Sequence, residues 1–219
     1  MQSSFLSKHP YLSLGWIIFI CLAVSVASEL PQIFFMDQNI LNDISRFQTP
    51  QRTAFFRVIA LTGSPAITFL IEILLVILLW QRKHVSAALI ALTMAIGGNA
   101  AGVLIKFLVH RPRPTSFISA ASGYSFPSSH VIGCTILTII IFKFGIQLIP
   151  AIRTQISIEM LILFWLVLVA LSRLYLQAYY PSDVLGGGLF ALIWCQTVLV
   201  AFRQERVKIT NLIKSKGGS

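Results

Sequence analysis

Residues 58–81 read VIALTGSPAITFLIEILLVILLWQ, a run of 24 residues that contains a single ionisable side chain, Glu72. A helix needs about 20 consecutive apolar residues to cross the hydrocarbon core of a bilayer. The run is therefore predicted to be a membrane-spanning helix. A carboxyl at that depth is costly, so Glu72 has either a function or a buried hydrogen-bond partner, such as Asn99 or a backbone group.

Five further apolar runs of similar length occur, at about residues 11–29, 86–109, 130–150, 158–176 and 184–202. The first run resembles a signal peptide but has no convincing small-residue cleavage site, so it is interpreted as a retained helix. The predicted fold class is an all-α membrane protein with six transmembrane helices in a bundle. Residues 1–219 form one membrane-embedded domain in this interpretation, with a basic cytoplasmic tail at 203–219.

The composition agrees with this class: 56% of the residues are hydrophobic, 11% are charged, and the mean hydropathy is +0.82. Soluble domains carry about 25% charged residues, so a soluble enzyme is excluded. The net charge of +10 predicts contact with anionic lipid headgroups and not with nucleic acid. Cys21, Cys134 and Cys195 all lie inside apolar runs, which predicts buried small side chains and no disulfide.

Basic residues in the loops predict the orientation, because Lys and Arg are retained on the cytoplasmic side. With six spans, the N-terminus shares one side with Arg82, Lys83, Arg153, Arg203, Arg206, Lys208, Lys214 and Lys216. Both termini are therefore predicted to be cytoplasmic. Another basic group falls on the outer side and needs its own explanation: Lys106, Arg111, Arg113 and Arg173.

The segment from about 37 to 56 mixes apolar and polar residues, with apolar side chains at helical spacing. It is predicted to be a short helix lying at the outer membrane interface. An ordered loop packed on the helix ends is an equally good interpretation.

Polar residues cluster where three of the predicted spans end or begin. Lys106 and Arg113 end the third span, Ser128, Ser129 and His130 open the fourth, and Arg173 and Asp183 lie between the fifth and sixth. The 43 positions from His130 to Arg173 allow two crossings of about 20 residues each, so the chain returns to the face it left. All three groups are predicted to meet at the outer face.

This set of side chains suits a phosphate. The forked guanidinium groups of Arg113 and Arg173 match phosphate oxygens, and Lys106 adds a compact charge. Ser128 and Ser129 lie where a helix N-terminus would offer free N–H groups. Taken singly, each residue has a plainer interpretation: the cations extend to the interface, and Ser128 or Asp183 caps a helix.

At this point the sequence resembles a known family, the type 2 phosphatidic acid phosphatases (PAP2). The family pattern is Lys, six residues, Arg-Pro; then Pro-Ser-Gly-His; then Ser-Arg, five residues, His, three residues, Asp. The first part is intact from Lys106 to Pro114, and the second reads PSSH at 127–130, with Ser in place of Gly. The third reads SRLYLQAYYPSD at 172–183.

The resemblance implies a six-helix bundle related to acid phosphatases and vanadium haloperoxidases, no cofactor, no metal, and a covalent phosphohistidine mechanism. In that scheme the histidine of the third motif attacks phosphorus and the aspartate, here Asp183, holds its other ring nitrogen. His130 protonates the leaving group and then activates water. Phosphate oxygens are held by five residues: Lys106, Arg113, Arg173, Ser128 and Ser129.

One position departs from the pattern, because Tyr179 stands where the nucleophilic histidine is expected. Phenols, with a pKa of about 10, must lose a proton before they attack phosphorus. Four accounts follow: an altered form of an active enzyme, a natural member that binds without turnover, tyrosine as a replacement nucleophile, or water activated by His130. The first is favoured, with activity strongly impaired. An alternative role for Tyr179 is that of a donor that keeps phosphate bound, with Asp183 accepting its hydroxyl proton.

A site at the outer face beside the bilayer predicts an amphipathic substrate: a polyprenyl diphosphate such as undecaprenyl diphosphate, phosphatidylglycerol phosphate, or phosphatidic acid. The compact chain fits a bacterial inner-membrane protein with its site on the periplasmic or extracellular side. The alternative function is a catalytically inactive lipid-phosphate binder or a transport component. Oligomeric state is left open by the sequence.

Overall fold

The computed structural model describes residues 9–115, 123–146 and 149–216, with side chains through 204. Over these residues the chain forms nine α-helices: α1 (Pro10–Ala27), α2 (Pro31–Ser45), α3 (Pro50–Thr62), α4 (Pro65–Gln81), α5 (Val85–Leu92), α6 (Gly98–Val109), α7 (Ser129–Ile140), α8 (Ile152–Tyr175) and α9 (Pro181–Lys216). Two π-helical segments, Thr93–Gly97 and Ile141–Gly145, join α5 to α6 and extend α7.

Proline sets the start of five of these helices, at Pro10, Pro31, Pro50, Pro65 and Pro181. Proline suits the first helical position because its fixed φ is already helical and no intrahelical N–H bond is lost. The chain therefore changes direction at defined points between successive helices.

Within the described residues, five helical stretches are long and apolar enough to cross a membrane: Pro10–Ala27, Pro50–Gln81, Val85–Val109, Ile152–Tyr175 and Pro181–Gln204. The remaining predicted span, the fourth along the chain, is a shorter apolar helix, Ser129–Gly145. At about 1.5 Å per residue its 17 residues extend roughly 25 Å. The predicted class, an all-α membrane bundle, is confirmed.

The short helix α7 lies at the centre of the bundle. Every residue of α7 from Val131 to Thr138 is buried, and the helix packs against α4, α6, α8 and α9. Gly98 allows this close packing, because a Cβ there would lie 2.6 Å from Ile136 and 3.0 Å from Trp194. Protein surrounds α7, so its length is matched to its neighbours and not to the lipid.

The prediction for residues 37–56 needs correction. Two helices, α2 and α3, replace the single short helix, and the alternative of an ordered loop is wrong. The second span also begins earlier than predicted, because α3 and α4 follow each other with only Gly63 and Ser64 between them. The amphipathic pattern correctly predicted helical structure in this segment. It did not predict the break between the two helices at Gln48 and Thr49, because the apolar residues there show no change of pattern.

Buried cysteines were predicted at three positions, and the structure confirms two of them. Cys134 and Cys195 are buried, whereas Cys21 is exposed, and all three are free thiols. Cys21 lies on α1 at the edge of the bundle, where most side chains face outward. An apolar run identifies a span but does not say which of its faces contacts lipid.

One carboxyl oxygen of Glu72 has a hydrogen-bond partner, whereas the other, Oε1, has none among the described residues. Asn99 Nδ2 donates to Glu72 Oε2 at 3.0 Å and also to the carbonyl of Ala95, in the π-helical segment, at 2.9 Å. Glu72 is fully buried on α4. This pair supports the interpretation of Glu72 as a buried, hydrogen-bonded carboxyl.

The predicted basic tail is not separate from the last span. The backbone of α9 continues as a helix from Pro181 through Lys216, so the stretch from 203 to 216 prolongs the same helix. Residues 217–219 lie outside the described part of the chain.

Candidate active site

Three distant parts of the chain meet at one end of the bundle, as their spacing predicted. Lys106 Nζ donates to the carbonyls of Tyr124 and Ser125 at 3.0 and 2.9 Å, which fixes the approach to α7. The backbone N–H of Ser128 donates to the carbonyl of Asp183 at 3.0 Å, which joins the start of α7 to the start of α9. The convergence therefore rests on hydrogen bonds between these segments.

The end of α6 turns the chain into the site. His110 adopts a left-handed conformation with φ of 54°, a common way for a helix to end, and Pro112 and Pro114 then prevent its continuation. Arg111 and Arg113 lie in this irregular stretch. Both side chains make hydrogen bonds to other parts of the protein, Arg111 to Asp37 and Asp183 and Arg113 to the carbonyls of Gly123 and Ala178.

Tyr179 lies at the centre of the predicted cluster. Its side chain is 2% exposed. Lys106 Nζ lies 5.2 Å from the ring centroid, and the guanidinium carbons of Arg113 and Arg173 lie 4.3 and 5.4 Å from it. The ring of His130 lies 6.0 Å away, edge to face. Three cations and one imidazole therefore surround the aromatic ring in the position of the expected nucleophile.

Arg113 is held by protein groups. Its Nε donates to the carbonyl of Gly123 at 3.1 Å, and Nη1 donates to the carbonyl of Ala178 at 2.7 Å. Nη2 contacts the hydroxyl of Tyr179 at 3.2 Å. Arg113 therefore positions the Tyr179 turn as well as supplying charge.

Three buried polar atoms of the cluster make no hydrogen bond within the described part of the chain: Ser128 Oγ, His130 Nδ1 and Arg173 Nε. Buried polar atoms normally have partners, because leaving one without costs about 1–3 kcal/mol. Ser128 is the N-cap residue of α7 by position, as the plainer interpretation expects, but its side chain makes no capping hydrogen bond. These three atoms therefore remain available to a ligand.

Ser129 takes a different place from its neighbour. It lines an apolar groove of about 430 Å³ together with Asn99 and with side chains of α4 and α6. Ser128 and Ser129 therefore face different surroundings, although both were predicted to hold phosphate.

Asp183 does not accept the hydroxyl proton of Tyr179, which corrects the prediction. Its Oδ1 accepts from Arg111 Nη1 at 2.7 Å, and its Oδ2 accepts from the backbone N–H of Tyr180 at 2.8 Å. The hydroxyl oxygen of Tyr179 instead accepts a hydrogen bond from Arg113 Nη2. The carboxylate is therefore held by groups other than the side chain at position 179.

Two residues of this network were not predicted as site residues, Arg111 and Asp37. Arg111 is 8% exposed and also donates from Nη2 to Asp37 Oδ2 at 2.6 Å. Ser182 joins both, because its Oγ contacts Arg111 at 2.7 Å and Asp37 at 2.5 Å. The sequence signal was the unexplained position of Arg111 on the outer side. Asp37 gave no signal beyond its place in an amphipathic helix.

The two carboxylates keep Arg111 charged. Burial by itself would lower the pKa of Arg111, but Asp183 and Asp37 outweigh burial and raise it above the ordinary arginine value. Burial also raises the pKa of Tyr180, whose ring lies 4.0 Å from the Arg111 guanidinium. Tyr180 is therefore a neutral phenol at pH 7, and Arg111 is a cation.

Gly187 permits the close approach of α9 to the start of α7. A Cβ at this position would lie 2.8 Å from the backbone oxygen of Ser128, closer than real Cβ contacts allow. Only glycine lets the two helices meet at this distance without shifting the backbone.

The family model of the PAP2 superfamily matches residues 87–207, more than half of the chain. The chain belongs to the PAP2 superfamily. The matched region contains all three motifs and the helices that carry them, so the resemblance inferred from Lys106, His130 and Arg173 is confirmed at the level of the family. No curated protein matches the sequence.

Two solved structures share the fold of this PAP2 protein. A transmembrane PAP2 type phosphatidylglycerolphosphate phosphatase from Bacillus subtilis matches with a TM-score of 0.77 and 20% identity, over 90% of this chain and 96% of its own. LpxE from Aquifex aeolicus matches with a TM-score of 0.56 and 20% identity, over 75% of this chain and 94% of its own. These similarities establish the membrane PAP2 fold.

No group of three or more His, Cys, Asp or Glu side chains able to hold a metal ion occurs among the residues that the structure describes. The charged groups of this PAP2 site are mostly cations, which suits an anionic ligand directly.

Proposed function

We propose that this PAP2 protein is a lipid phosphatase that acts on a phosphate or diphosphate monoester of a membrane lipid, and that Tyr179 strongly impairs its turnover. Membership of the superfamily supports dephosphorylation of a lipid phosphate as the general class of activity. The observation that carries the proposal for this chain is that three buried polar atoms, on Ser128, His130 and Arg173, have no hydrogen-bond partner among the described residues.

The proposed chemistry assigns one task to each group around the phosphate. Arg173 and Ser128 donate to phosphate oxygens, while Lys106 and Arg113 add positive charge nearby. His130 donates a proton to the leaving oxygen as the P–O bond breaks. An imidazole at position 179 would attack phosphorus with its lone pair, and water would later displace it. A phenol at that position must lose its proton before it can attack, and the phosphate ester that it forms is more stable than a phosphohistidine. Turnover is therefore blocked at the attack or at the hydrolysis of the ester.

An amphipathic substrate is supported by the apolar groove that reaches Ser129. Its lining suits the hydrocarbon chain of a lipid whose phosphate lies among the cations. The proposed substrates are a polyprenyl diphosphate such as undecaprenyl diphosphate, phosphatidylglycerol phosphate and phosphatidic acid. Phosphate release from a panel of these three lipids, by this chain and by its Tyr179→His variant, tests the proposal.

The proposed orientation places the site at the periplasmic or extracellular face of a bacterial inner membrane, with both termini in the cytoplasm. The basic residues around Arg82 and Lys83 and those after residue 202 support it. Alkaline phosphatase fused to the C-terminus is expected to be inactive, because its disulfides form only outside the cytoplasm, whereas a fluorescent protein fused there is expected to fluoresce. Active alkaline phosphatase at this position would reverse the orientation.

A second candidate, a lipid-phosphate binder without turnover, is favoured by the burial of Tyr179 and its contact with Arg113. Both candidates require an anion to bind among the cations. They differ in the effect of Tyr179→His, which restores turnover only in a site built for catalysis. A transport component is the remaining alternative, and lipid transfer without phosphate release would identify it.

Vanadate, a phosphate mimic, is expected to bind the chain as it stands and to raise its melting temperature in detergent. Ligand at about 100 times its Kd stabilises a protein by about 2.7 kcal/mol. Arg173→Gln is expected to abolish the shift, because Arg173 Nε has no protein partner to satisfy. The exposed Arg46→Gln serves as the control and is expected to retain it. A shift that survives Arg173→Gln would place the anion elsewhere.

A further inference from the structure

α2 contributes one charged side chain to the interior of the protein. Its buried residues are Asp37 and Leu41, and Asp37 is 0% exposed. The neighbouring Phe34, Phe35 and Met36 are exposed on the outside of the bundle. A buried carboxylate is costly unless it is fully paired, so Asp37 must gain its partners from the protein.

Both carboxylate oxygens of Asp37 accept hydrogen bonds from groups close to Asp183. Oδ1 accepts the backbone N–H of Ser182 at 2.9 Å, and Oδ2 accepts the Ser182 hydroxyl at 2.5 Å and Arg111 Nη2 at 2.6 Å. The bond to the Ser182 backbone fixes the turn that carries Tyr179. Asp37 therefore touches the start of α9 at two points and the Arg111 guanidinium at a third.

Arg111 forms salt bridges with two carboxylates, one through each of its terminal nitrogens. Nη1 is directed at Asp183 Oδ1 at 2.7 Å, and Nη2 is directed at Asp37. Because one nitrogen is occupied by Asp37, Arg111 reaches only one oxygen of Asp183. The second oxygen remains on the backbone N–H of Tyr180, next to position 179.

We propose that Asp37 is a positioning residue. By binding Arg111 Nη2, it prevents a bidentate salt bridge between Arg111 and Asp183, and it thereby keeps Asp183 Oδ2 directed toward the 179–180 turn. Guanidinium and carboxylate groups readily form such a pair when both nitrogens are free. If Asp37 were neutral, Arg111 would draw both oxygens of Asp183 away from the turn. This inference rests on the proposed function, taken with the role that the family resemblance implies for Asp183, which is to orient the nucleophile.

The test uses the full-length Tyr179→His chain with Asp37→Asn added. The expected result is a fall in kcat of roughly 10- to 100-fold, since misplacement of about 1 Å has effects of this size. KM for the lipid phosphate is expected to stay within about threefold, because Asp37 does not reach the proposed phosphate site. Asp43→Asn on the same helix is the matched control, since Asp43 is exposed and pairs only with the exposed Arg46, and it is expected to change neither constant.

A second variant addresses failure to fold. Ser182→Ala removes the hydroxyl that donates to Asp37 and accepts from Arg111, but it leaves the Asp37–Arg111 ion pair and the backbone N–H bond to Asp37 in place. It is expected to lower kcat in the same direction by about threefold. If Asp37→Asn lowers only the melting temperature and leaves kcat unchanged at low temperature, Asp37 is merely structural and the proposal is overturned.

Amide hydrogen exchange separates this proposal from the proposed function. In the chain with Tyr179 in place, Asp37→Asn is expected to speed exchange in the 179–184 segment, where the Tyr180 N–H donates to Asp183, and to leave 131–138 of α7 unchanged. This readout requires neither turnover nor anion binding. An inactive Tyr179→His chain would contradict the proposed function alone, whereas unchanged exchange at 179–184 would overturn the role of Asp37.

Discussion

Replacing Tyr179 with histidine is expected to raise the rate of phosphate release from a lipid phosphate by roughly 1,000-fold or more, the scale of losing or gaining a catalytic nucleophile. The physical reason is the chemistry of the attacking atom. A neutral imidazole has a lone pair available at pH 7 and forms a labile P–N bond, whereas phenols hold a proton up to a pH of about 10. The surrounding groups, His130 and the three cations, are already in place.

Two further variants make the measurement specific. Tyr179→Phe keeps the ring under the cations but removes the hydroxyl, so it is expected to show no gain. His130→Ala added to Tyr179→His is expected to abolish the gain, because the leaving oxygen then has no proton donor. Phosphate release is measured in detergent micelles containing the lipid. Equal, robust rates for the present chain and its histidine variant would show that Tyr179 does not limit turnover.

Replacing Arg111 with alanine is expected to destabilise the protein by about 3–5 kcal/mol, one of the larger costs that a single substitution can have. Asp37 and Asp183 are both 0% exposed, and Arg111 is the guanidinium between them. Without Arg111 two buried carboxylates face each other with no cation between them. At about 2–4 °C per kcal/mol for a chain of this size, the melting temperature in detergent should fall by roughly 10 °C.

The matched control is Arg46→Ala, since Arg46 pairs with Asp43 at 3.5 Å and both side chains are well exposed. Exposed pairs contribute about 0–1 kcal/mol, so its melting temperature is expected to stay close to that of the parent. Adding Asp37→Asn to Arg111→Ala should recover part of the loss, because one buried charge is removed. If Arg111→Ala melts like the parent, the buried network does not stabilise the fold.

Much of the fold was predictable because membrane helices have a strong local signal. The run at 58–81 is mostly apolar and contains a single ionisable side chain, Glu72, and the structure forms a span there that begins earlier, at Pro50. The motif spacing also placed Lys106, His130 and Arg173 at one face. Length and hydropathy were sufficient for these predictions, since each depends on residues adjacent in the sequence.

The misjudged features depend on neighbours distant in the sequence. Cys21 is exposed because α1 lies at the edge of the bundle, and an apolar run cannot report this. Asp183 was expected to meet Tyr179, four positions earlier, but its carboxylate pairs with Arg111 instead. Asp37 lies 146 positions before Asp183, and only folding brings the two to the same guanidinium.

The sequence by itself determined that this chain is an all-helical membrane protein, that it carries the PAP2 motifs, and that the nucleophile position holds Tyr179. Hydropathy, spacing and residue type establish these points without any contact being known. Only the tertiary structure decided which polar groups are satisfied. Arg113 bonds to the Tyr179 turn and Arg111 to two carboxylates. Within the described part of the chain, Ser128, His130 and Arg173 each keep one buried polar atom without a partner. The reason is physical, since the cost of a buried charge depends on the partners that packing places around it.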